Sequence, residues 1–275
     1  MTSEVSAAKG LALHGLLAGL DSVIVAYSGG VDSAYLAWAA TEAIGRRALC
    51  VTADSDSYPD RHRRLAIDIA RDFGLHHEII QTREIENPAY RANPADRCYH
   101  CKHELYTHLC AIARTRGIAV IVDGSNADDR GDYRPGRKAA REFAVRSPLD
   151  EVGLTKDDIR ALSREAGLPT WDEPASACLS SRIPYHSEVT PAKLRMIEQA
   201  ESALRRLGFR VCRVRHHGAA ATLEFGHDEL PRALEPGVRD VIERKVRAAG
   251  FDAITIDPRG YRRGSLNEAL RLKVV

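Results

Sequence analysis

Short apolar segments alternate with segments of helical periodicity through the first half of the chain. A strand followed by a helix, repeated several times, is typical of a parallel sheet whose strands are joined by crossover helices. The predicted strands are 22–26, 47–53, 76–82 and 118–124, and the predicted helices are 33–45, 61–74 and 101–116. The alternation therefore predicts an α/β fold, with helices on both faces of a parallel sheet.

The second half follows a different order. Helices are predicted at 155–166, 191–207 and 236–249, and strands at 209–215, 220–225 and 252–257. From residue 191 the order is α-β-β-α-β, which is typical of a small α+β domain. Because 275 residues exceed a typical single domain, we predict two domains, 1–180 and 187–275. The second is expected to serve substrate binding or oligomerisation.

The composition argues against several classes of protein. A net charge of +2 with well-mixed charges predicts no strong field for nucleic acid or for an anionic membrane. No apolar run approaches the length of a membrane span, and the first residues lack the pattern of a cleavable signal. Six cysteines are too few for a disulfide scaffold. We therefore expect a cytoplasmic protein whose clustered cysteines are metal or redox ligands.

The sequence SGGVDS at 28–33 joins the first predicted strand to the first predicted helix. Gly29 and Gly30 let the backbone bring N–H groups against an anion, and the helix start adds its positive dipole end. Ser28 and Ser33 add hydroxyl donors, and Asp32 is a candidate ligand for Mg²⁺ that bridges phosphates. The lysine of the common P-loop is missing from this pattern. An ordinary Gly-Gly turn is the alternative, which the flanking strand and helix disfavour.

Cys98 and Cys101 form a CxxC pair near a predicted helix start, where both thiols share a face and the helix dipole favours thiolates. Two cysteines are too few for a closed zinc or cluster site. Cys178, in a loop of small residues and proline, is the natural third ligand. Three thiolates around a four-iron cluster would leave one iron open for a labile sulfide, and a redox dithiol or inert thiols are the alternatives. Buried apolar roles are expected for Cys50, Cys110 and Cys212.

Further candidates are polar residues in loops and on the later strands. Ligands bind at strand ends in open α/β sheets, and the candidates for Mg²⁺ or ribose after the fourth strand are Asn126, Asp128, Asp129 and Asp132. Side chains that suit a phosphate or carboxylate are Arg134, Ser180, Ser181, Arg182, Arg213, Arg215, Arg259, Arg262 and Arg263, with Glu224 on a neighbouring strand. A solvated acidic turn and solvated basic faces are the alternatives. Tyr99 and Trp171 are candidates for stacking on a ring or for structural packing, and His216 and His217 are expected at the surface.

The 28–33 loop resembles the PP-loop of the ATP pyrophosphatase superfamily, SGGxDS directly after the first strand. That resemblance implies a Rossmann-like domain of the adenine nucleotide alpha hydrolase type, which cleaves ATP to AMP and pyrophosphate. Two longer segments narrow it: VDGSNADDRGDYRPGRKAAREFAVRSPL at 122–149 and GLTKDDIRALSREAGLPTWDEPASACLSSRIPYH at 153–186. They are similar to the LarE family, ATP-dependent sulfur transferases (pyridinium-3,5-biscarboxylic acid mononucleotide sulfurtransferases) of nickel-pincer cofactor biosynthesis.

The resemblance to LarE implies that a carboxylate is adenylated and then converted to a thiocarboxylate by a protein-derived sulfur. It makes Cys178 the sulfur-bearing catalytic residue, with Asp32 acting on ATP. Some members sacrifice the cysteine sulfur and keep dehydroalanine, whereas others add a CxxC and hold a [4Fe-4S] cluster on three cysteines. Because this chain has the CxxC, the resemblance implies a cluster on Cys98, Cys101 and Cys178, with ATP and Mg²⁺. It also implies a homo-oligomer, a nucleotide substrate, sulfide or another sulfur donor, and nickel-cofactor maturation enzymes, as in lactate racemase maturation, as partners.

Other functions stay open on the sequence. A cluster-dependent tRNA thiolase also combines a PP-loop with a CxxC, although a net charge of +2 without a basic block argues against RNA. An ammonia-using synthetase would leave the three cysteines without a role. A module that senses ATP or AMP without turnover is the non-enzyme alternative, and the intact loop together with the cysteines disfavours it.

Overall fold

The computed structural model describes residues 3–131, 135–174, 177–262 and 264–266. The chain divides into two compact units. Unit 1 comprises Met1–Ser55, Asp60–Glu84 and Asp96–Ala175, and unit 2 comprises Asp56–Pro59, Ile85–Ala95 and Ser176–Val275. Among the described residues, no helix is both long enough and apolar enough to cross a membrane.

The α-helices match the predicted segments and add several short ones. In chain order they are α1 (Glu4–Ala18), α2 (Val31–Ile44), α3 (Asp60–Asp72), α4 (Pro88–Arg91), α5 (Arg97–Arg116), α6 (Gly136–Glu142), α7 (Pro148–Glu151), α8 (Lys156–Glu165), α9 (Pro191–Arg206), α10 (Leu230–Leu234) and α11 (Pro236–Ala248). The helix predicted to begin at Cys101 begins at Arg97, so both cysteines of the CxxC pair lie on α5.

The sheet of unit 1 confirms the predicted α/β class. Its strands are β1 (Val23–Ala26), β2 (Ala48–Asp54), β3 (His76–Gln81) and β4 (Val120–Val122), and they pair in the order β3-β2-β1-β4 with every pairing parallel. The chain moves from β1 to one side for β2 and β3, and to the other side for β4. Such a switch point opens a crevice at the carboxyl ends of the strands, where ligands of open α/β sheets bind.

Strand β1 is buried on both faces of this sheet. Val23 and Val25 belong to an apolar cluster with α1, α2 and α8 residues, and Ile24 belongs to a second cluster with Tyr106 and Leu109 of α5. Alternate side chains of a strand point to opposite faces, so a short run of apolar residues packs against the helices on both faces of the sheet. The loop that follows β1 is thereby held at the centre of unit 1.

Unit 2 contains a smaller mixed sheet of β5 (Cys212–His217), β6 (Ala220–Phe225) and β7 (Ala253–Ile256), as the α+β prediction requires. β5 and β6 are antiparallel, whereas β6 and β7 are parallel. A parallel pair requires a crossover connection, which α10 and α11 provide. Phe209, Phe225 and Phe251 are fully buried in this unit.

The main segment of unit 2 begins at Ser176, whereas the predicted second domain begins at residue 187. Unit 2 also includes two segments from the first half of the chain. Within unit 2, the N–H of Leu179 donates to the carbonyl of Ser57, and the hydroxyls of Tyr90 and Ser180 lie 2.6 Å apart. These contacts explain why Cys178 belongs to unit 2, whereas Cys98 and Cys101 belong to unit 1. The functional division into domains 1–180 and 187–275 stays a prediction.

Candidate functional site

The 28–33 loop leaves the carboxyl end of β1 and enters α2 in a conformation that requires glycine. Gly29 has a φ of +64°, in the left-handed region, and a Cβ there would lie 2.8 Å from the Cβ of Ala66. Gly124, after β4, packs equally closely, because a Cβ there would lie 3.0 Å from the backbone nitrogen of Ser33. Gly29 therefore lets the loop pack against α3, and Gly124 lets the end of β4 pack against the start of α2.

Two hydroxyls hold the loop. Ser33 Oγ accepts from the N–H of Ser28 at 3.1 Å, donates to the carbonyl of Gly30 at 3.1 Å and lies 3.0 Å from Ser28 Oγ. Gly30 is the N-cap of α2, and no side chain of the described residues caps this helix start. An uncapped helix start presents N–H donors and the positive end of the dipole, as an anion site needs.

Asp32, in the first turn of α2, has one satisfied and one unsatisfied carboxylate oxygen. Its Oδ2 lies 2.5 Å from Nζ of Lys156, and its Oδ1 is buried and accepts no hydrogen bond from any described residue. A buried carboxylate oxygen without a partner is costly, and Mg²⁺ prefers such hard oxygen ligands. The loop therefore fits the magnesium and phosphate groups that its sequence predicts.

Lys156 was not among the sequence candidates, and the structure brings it to Asp32 from 124 positions away. It is the first residue of α8, whose N-cap Thr155 forms a capping box with Asp158. The N–H of Lys156 donates to Oδ2 of Asp128 at 2.8 Å. The helix start thus holds the ammonium group beside the loop, and Asp128 serves as an additional anchor for α8.

The predicted acidic loop after β4 is partly turned inward. Asn126 and Asp129 are buried: Asn126 Oδ1 accepts from the N–H of Asp128, and Asp129 Oδ2 accepts from the N–H of Asn126. These bonds form local turns, so the two side chains brace the loop. Asp132 and Arg134, also predicted here, lie outside the described residues.

A buried carboxylate that sequence analysis missed connects β4 to the CxxC helix. Asp123 follows β4 and accepts from the hydroxyl of Tyr106 at 2.9 Å, and Nζ of Lys102 lies 3.2 Å from that hydroxyl. Burial opposes the charged form of Asp123, but Lys102 and hydrogen bonds from Ser147, Ser125 and Tyr106 hold its pKa below its usual value. Lys102 directly follows Cys101, which ties the CxxC turn to the end of the sheet.

Cys98 is exposed and Cys101 is half-buried on the first turns of α5. A cavity of about 780 Å³ in unit 1 opens beside this turn, and its lining includes Tyr99 and His100 together with the basic Arg130, Arg137, Lys138 and Arg141. Tyr99 Oη donates to Glu142 at 2.8 Å, and Lys138 lies over its ring. The cysteine pair therefore lies beside residues that line a cavity with both basic and acidic side chains, the acidic ones being Asp96, Asp129 and Asp150.

The other cysteines divide as predicted between buried and accessible positions, except that Cys110 is only half-buried. Burial raises the pKa of the Cys50 and Cys212 thiols to about 12. Cys178 is half-buried at the N-cap of a 3₁₀ turn, Leu179–Arg182. None of the six cysteines, all of which lie in the described ranges, forms a disulfide.

Over the described residues, no three or more His, Cys, Asp and Glu side chains are grouped so that they could hold a metal ion. Exposed or half-buried thiols one helical turn apart are nevertheless chemically suited to ligate iron. The cluster therefore remains a proposal that the donor chemistry permits.

The predicted anion ligands of unit 2 are largely engaged with protein groups. Arg213 is buried over the ring of Tyr261, and Arg215 donates to the Ser181 carbonyl, to Glu224 and to Ser265, each at 2.8 Å. The pair of arginines does lie on one strand, β5, opposite β6.

Other unit 2 candidates have similar partners. Asp257 accepts from Arg259 and lies near Arg262, while Arg263 falls outside the described residues. The expected surface position of His216 is wrong, because this side chain is buried against Phe251. Burial lowers the pKa of His216. His217 is exposed as expected. Trp171 of unit 1 is partly exposed beneath Arg164.

Comparison with known proteins places this chain among relatives of the same length. No protein-family model matches it. An uncharacterised protein of Synechocystis sp. is 41% identical over 251 residues, covering 91% of this chain and 94% of its own. The pyridinium-3,5-bisthiocarboxylic acid mononucleotide synthase of Lactiplantibacillus plantarum is 34% identical over 265 residues, covering 96% and 95%. The chain belongs to the LarE family.

A third relative of this LarE-family chain is an uncharacterised protein of Methanocaldococcus jannaschii, 29% identical over 240 residues, which cover 87% of this chain and 90% of that protein. The matches extend over both units, so the likeness is not limited to the 28–33 loop. The expectation of family and fold is confirmed, and the site residues stay predictions.

Proposed function

We propose that this LarE-family chain is an ATP-dependent sulfur transferase that acts on pyridinium-3,5-biscarboxylic acid mononucleotide. It would adenylate a carboxylate of this nucleotide and convert it to a thiocarboxylate. The proposal rests on the named relative, which is a pyridinium-3,5-bisthiocarboxylic acid mononucleotide synthase. The observation that carries the ATP chemistry is the buried Asp32 oxygen without a partner beside an uncapped helix start.

In the adenylation step, the N–H groups at the start of α2 and the hydroxyl of Ser28 hold the phosphates of ATP. A carboxylate oxygen of the substrate attacks the α-phosphorus, and the bond to the β-phosphate oxygen breaks to release pyrophosphate. Asp32 would hold Mg²⁺, which supplies positive charge to the leaving pyrophosphate. Lys156 adds a second positive charge at the same place.

In the sulfur step, a sulfur nucleophile attacks the carbonyl carbon of the adenylated carboxyl group. The C–O bond to AMP breaks, and the group becomes a thiocarboxylate. Adenylation is needed because a free carboxylate oxygen is a poor leaving group, whereas AMP is a good one. We propose that Cys98, Cys101 and Cys178 hold a [4Fe-4S] cluster whose open iron supplies a labile sulfide. The alternative source is Cys178 itself, whose thiolate would form a thioester; loss of the α-proton and cleavage of the Cβ–Sγ bond would then release the thiocarboxylate and leave dehydroalanine.

Several further predictions accompany this function. A homo-oligomer, sulfide or another donor for reloading, nickel-cofactor maturation enzymes as partners and a cytoplasmic location all stay predictions. Arg213 and Arg215 remain candidates for the substrate phosphate.

The deciding experiment is pyrophosphate release with ATP, Mg²⁺ and the pyridinium dicarboxylate nucleotide, with product analysis by mass spectrometry. We expect release only when the nucleotide is present, together with a product in which sulfur replaces oxygen. Asp32→Asn should slow release about 100-fold, because charge stabilisation in the transition state is lost.

The matched control is Asp72→Asn, which removes an exposed carboxylate of unit 1 paired with Arg71, and it should leave the rate unchanged. Release that depends on tRNA instead of the nucleotide would support the thiolase alternative. Nucleotide binding without any release would support a sensing module.

A further inference from the structure

Cys178 has a half-buried side chain on a tightly anchored backbone. Its carbonyl oxygen accepts from the N–H of Ser181 at 3.0 Å, from Ser181 Oγ at 2.8 Å and from Nη1 of Arg182 at 2.9 Å. The same Nη1 donates to the carbonyl of Ala177 at 2.7 Å. The Arg182 guanidinium thus adds bonds to two successive carbonyls beyond the N–H bond that closes the turn, so the backbone of Cys178 is anchored by a side chain as well as by the turn itself.

Arg182 reaches this carbonyl from a fully buried position. Its side chain is 0% exposed, and its Nε and Nη2 donate to the two carboxylate oxygens of Glu201 on α9 at 2.8 Å and 3.1 Å. The guanidinium therefore bridges a carboxylate on one side and two backbone carbonyls on the other. A planar fork can make all these bonds at once, whereas the single ammonium group of lysine cannot.

Glu201 is in turn fixed by its other neighbours. It accepts from the backbone N–H of Val214 on β5 at 3.1 Å and from Arg205 at 3.0 Å. Burial opposes the charged form of Glu201, but the charge and hydrogen bonds of Arg182, helped by Arg213 and Arg205, lower its pKa to about 2. The carboxylate thus stays ionised and connects the helix, the sheet and the turn of unit 2.

A buried ion pair of this kind is not needed for stability alone, because apolar residues of similar volume often serve as well. What apolar residues cannot do is donate hydrogen bonds to the carbonyls of Ala177 and Cys178. We propose that Arg182, held by Glu201, is a positioning residue that fixes the Cys178 backbone and so presents the thiol for sulfur transfer.

This inference rests on the proposed function, in which Cys178 serves the sulfur step either as a cluster ligand or as the sulfur donor. It assigns Arg182 a role different from binding a substrate anion. Because Asp32 and the PP-loop lie in unit 1 and the Arg182 network lies in unit 2, the two partial reactions should separate. Loss of Arg182 should impair sulfur transfer and leave adenylation intact.

The test compares Arg182→Met and Arg182→Lys with Arg205→Met in the full-length protein. Arg205 pairs with the same Glu201 but makes no bond to the 177–178 carbonyls, so it is the matched control. Ser181→Ala removes one donor from the Cys178 carbonyl and one acceptor of Arg182 Nη1 but keeps the Arg182–Glu201 ion pair, and it is included in case the Arg182 variants fail to fold. Amide hydrogen exchange across the 178–182 turn is measured together with pyrophosphate release and thiocarboxylate formation.

We expect exchange in the turn to accelerate about tenfold in Arg182→Met and less in Ser181→Ala, with no change in Arg205→Met. Thiocarboxylate formation should fall about 100-fold in Arg182→Met, because misplacement by about 1 Å has that effect on a rate. Lysine should rescue part of this loss, while the rate of pyrophosphate release in the first turnover and its dependence on ATP concentration stay unchanged, because adenylation precedes the sulfur step.

Equal loss of both partial reactions would overturn the inference, since it would indicate a merely structural role. Unchanged exchange in the turn in both Arg182→Met and Ser181→Ala would also overturn it. If the wild-type protein forms no thiocarboxylate, the proposed function fails, but the exchange experiment still decides whether Arg182 anchors Cys178.

Discussion

Lys156 and Asp32 form an ion pair between half-exposed side chains at the PP-loop. In the absence of a cation, the ammonium group neutralises one carboxylate oxygen. Under the proposed function, Mg²⁺ held by Asp32 would leave the ammonium group available to the polyphosphate of ATP. A lysine in this position can therefore act as a point charge for phosphate, although the loop lacks the lysine of the common P-loop.

Lys156→Met should raise the KM for MgATP about tenfold, because one charge-assisted contact to phosphate is lost. The KM for MgATP of Lys156→Arg should fall between those of the wild type and Lys156→Met, since the charge is kept in a different geometry. The measurement is the initial rate of pyrophosphate release over a range of MgATP concentrations. Lys9→Met is the control, because Lys9 pairs with Asp158 on the same helix α8 but not with Asp32. Equal KM values for Lys156→Met and Lys9→Met would contradict the assignment.

Helix α5 combines several functions along its length. Its first turns carry the exposed CxxC pair, Lys102 and Tyr106 connect it to the end of β4, and Leu109 packs under the sheet. The helix is thus anchored by its middle, while Tyr99 and His100 of its N-terminal turn line the cavity.

Anaerobic reconstitution should load about four irons and four labile sulfides per chain. Cys98→Ala should lose them, because a cluster held by two thiolates is not stable. Cys110→Ala, on the same helix but not part of the proposed site, should keep them. Iron and acid-labile sulfide are quantified after removal of unbound metal. Absence of bound iron in the wild-type protein would transfer the sulfur-donor role to Cys178 itself.

For the whole molecule, acid stability depends on carboxylates that are ionised in the folded state. Glu201, Asp123 and Asp158 all have a pKa held below the usual value, although burial opposes the charged form of each. The main compensating positive charge is that of Arg182 for Glu201 and that of Lys102 for Asp123. Asp158 is kept ionised by hydrogen bonds from Lys9, Ser6 and Thr155. Such groups bind fewer protons folded than unfolded, so their contribution is complete above the unfolded pKa. It disappears as the pH falls through the folded pKa.

The free energy of unfolding should therefore decrease as the pH falls from about 4.5, the usual value for Glu201, to about 2. Glu201 alone accounts for on the order of 3 kcal/mol of this loss. Glu201→Gln should destabilise the protein at neutral pH by about 3–5 kcal/mol, since it leaves Arg182 buried without its counter-charge. It should also weaken the acid dependence.

Urea denaturation followed by circular dichroism at several pH values measures both effects. The same acid dependence in the wild type and in Glu201→Gln would contradict the assignment to Glu201.

Local sequence patterns were enough to predict the main helices and strands of this fold. Strand and helix periodicity depends on neighbours a few residues apart, so the alternation predicted β1 to β4 and the helices between them to within a few residues. The PP-loop could be predicted for the same reason, because Gly29 and the serines act on their own turn. The CxxC pair was located on a helix start, although α5 begins earlier than predicted.

By itself, then, the sequence determined the α/β class, the place of the 28–33 loop between a strand and a helix, and the family. The tertiary structure alone decided the order β3-β2-β1-β4, the assignment of Cys178 to unit 2 and the partners of the charged side chains. Lys156 meets Asp32, and Arg182 turns inward to Glu201, only because helices and strands distant in the chain pack together. The physical reason is that a local pattern specifies which face of an element is apolar, whereas the position of a buried charge depends on the groups that surround it after folding.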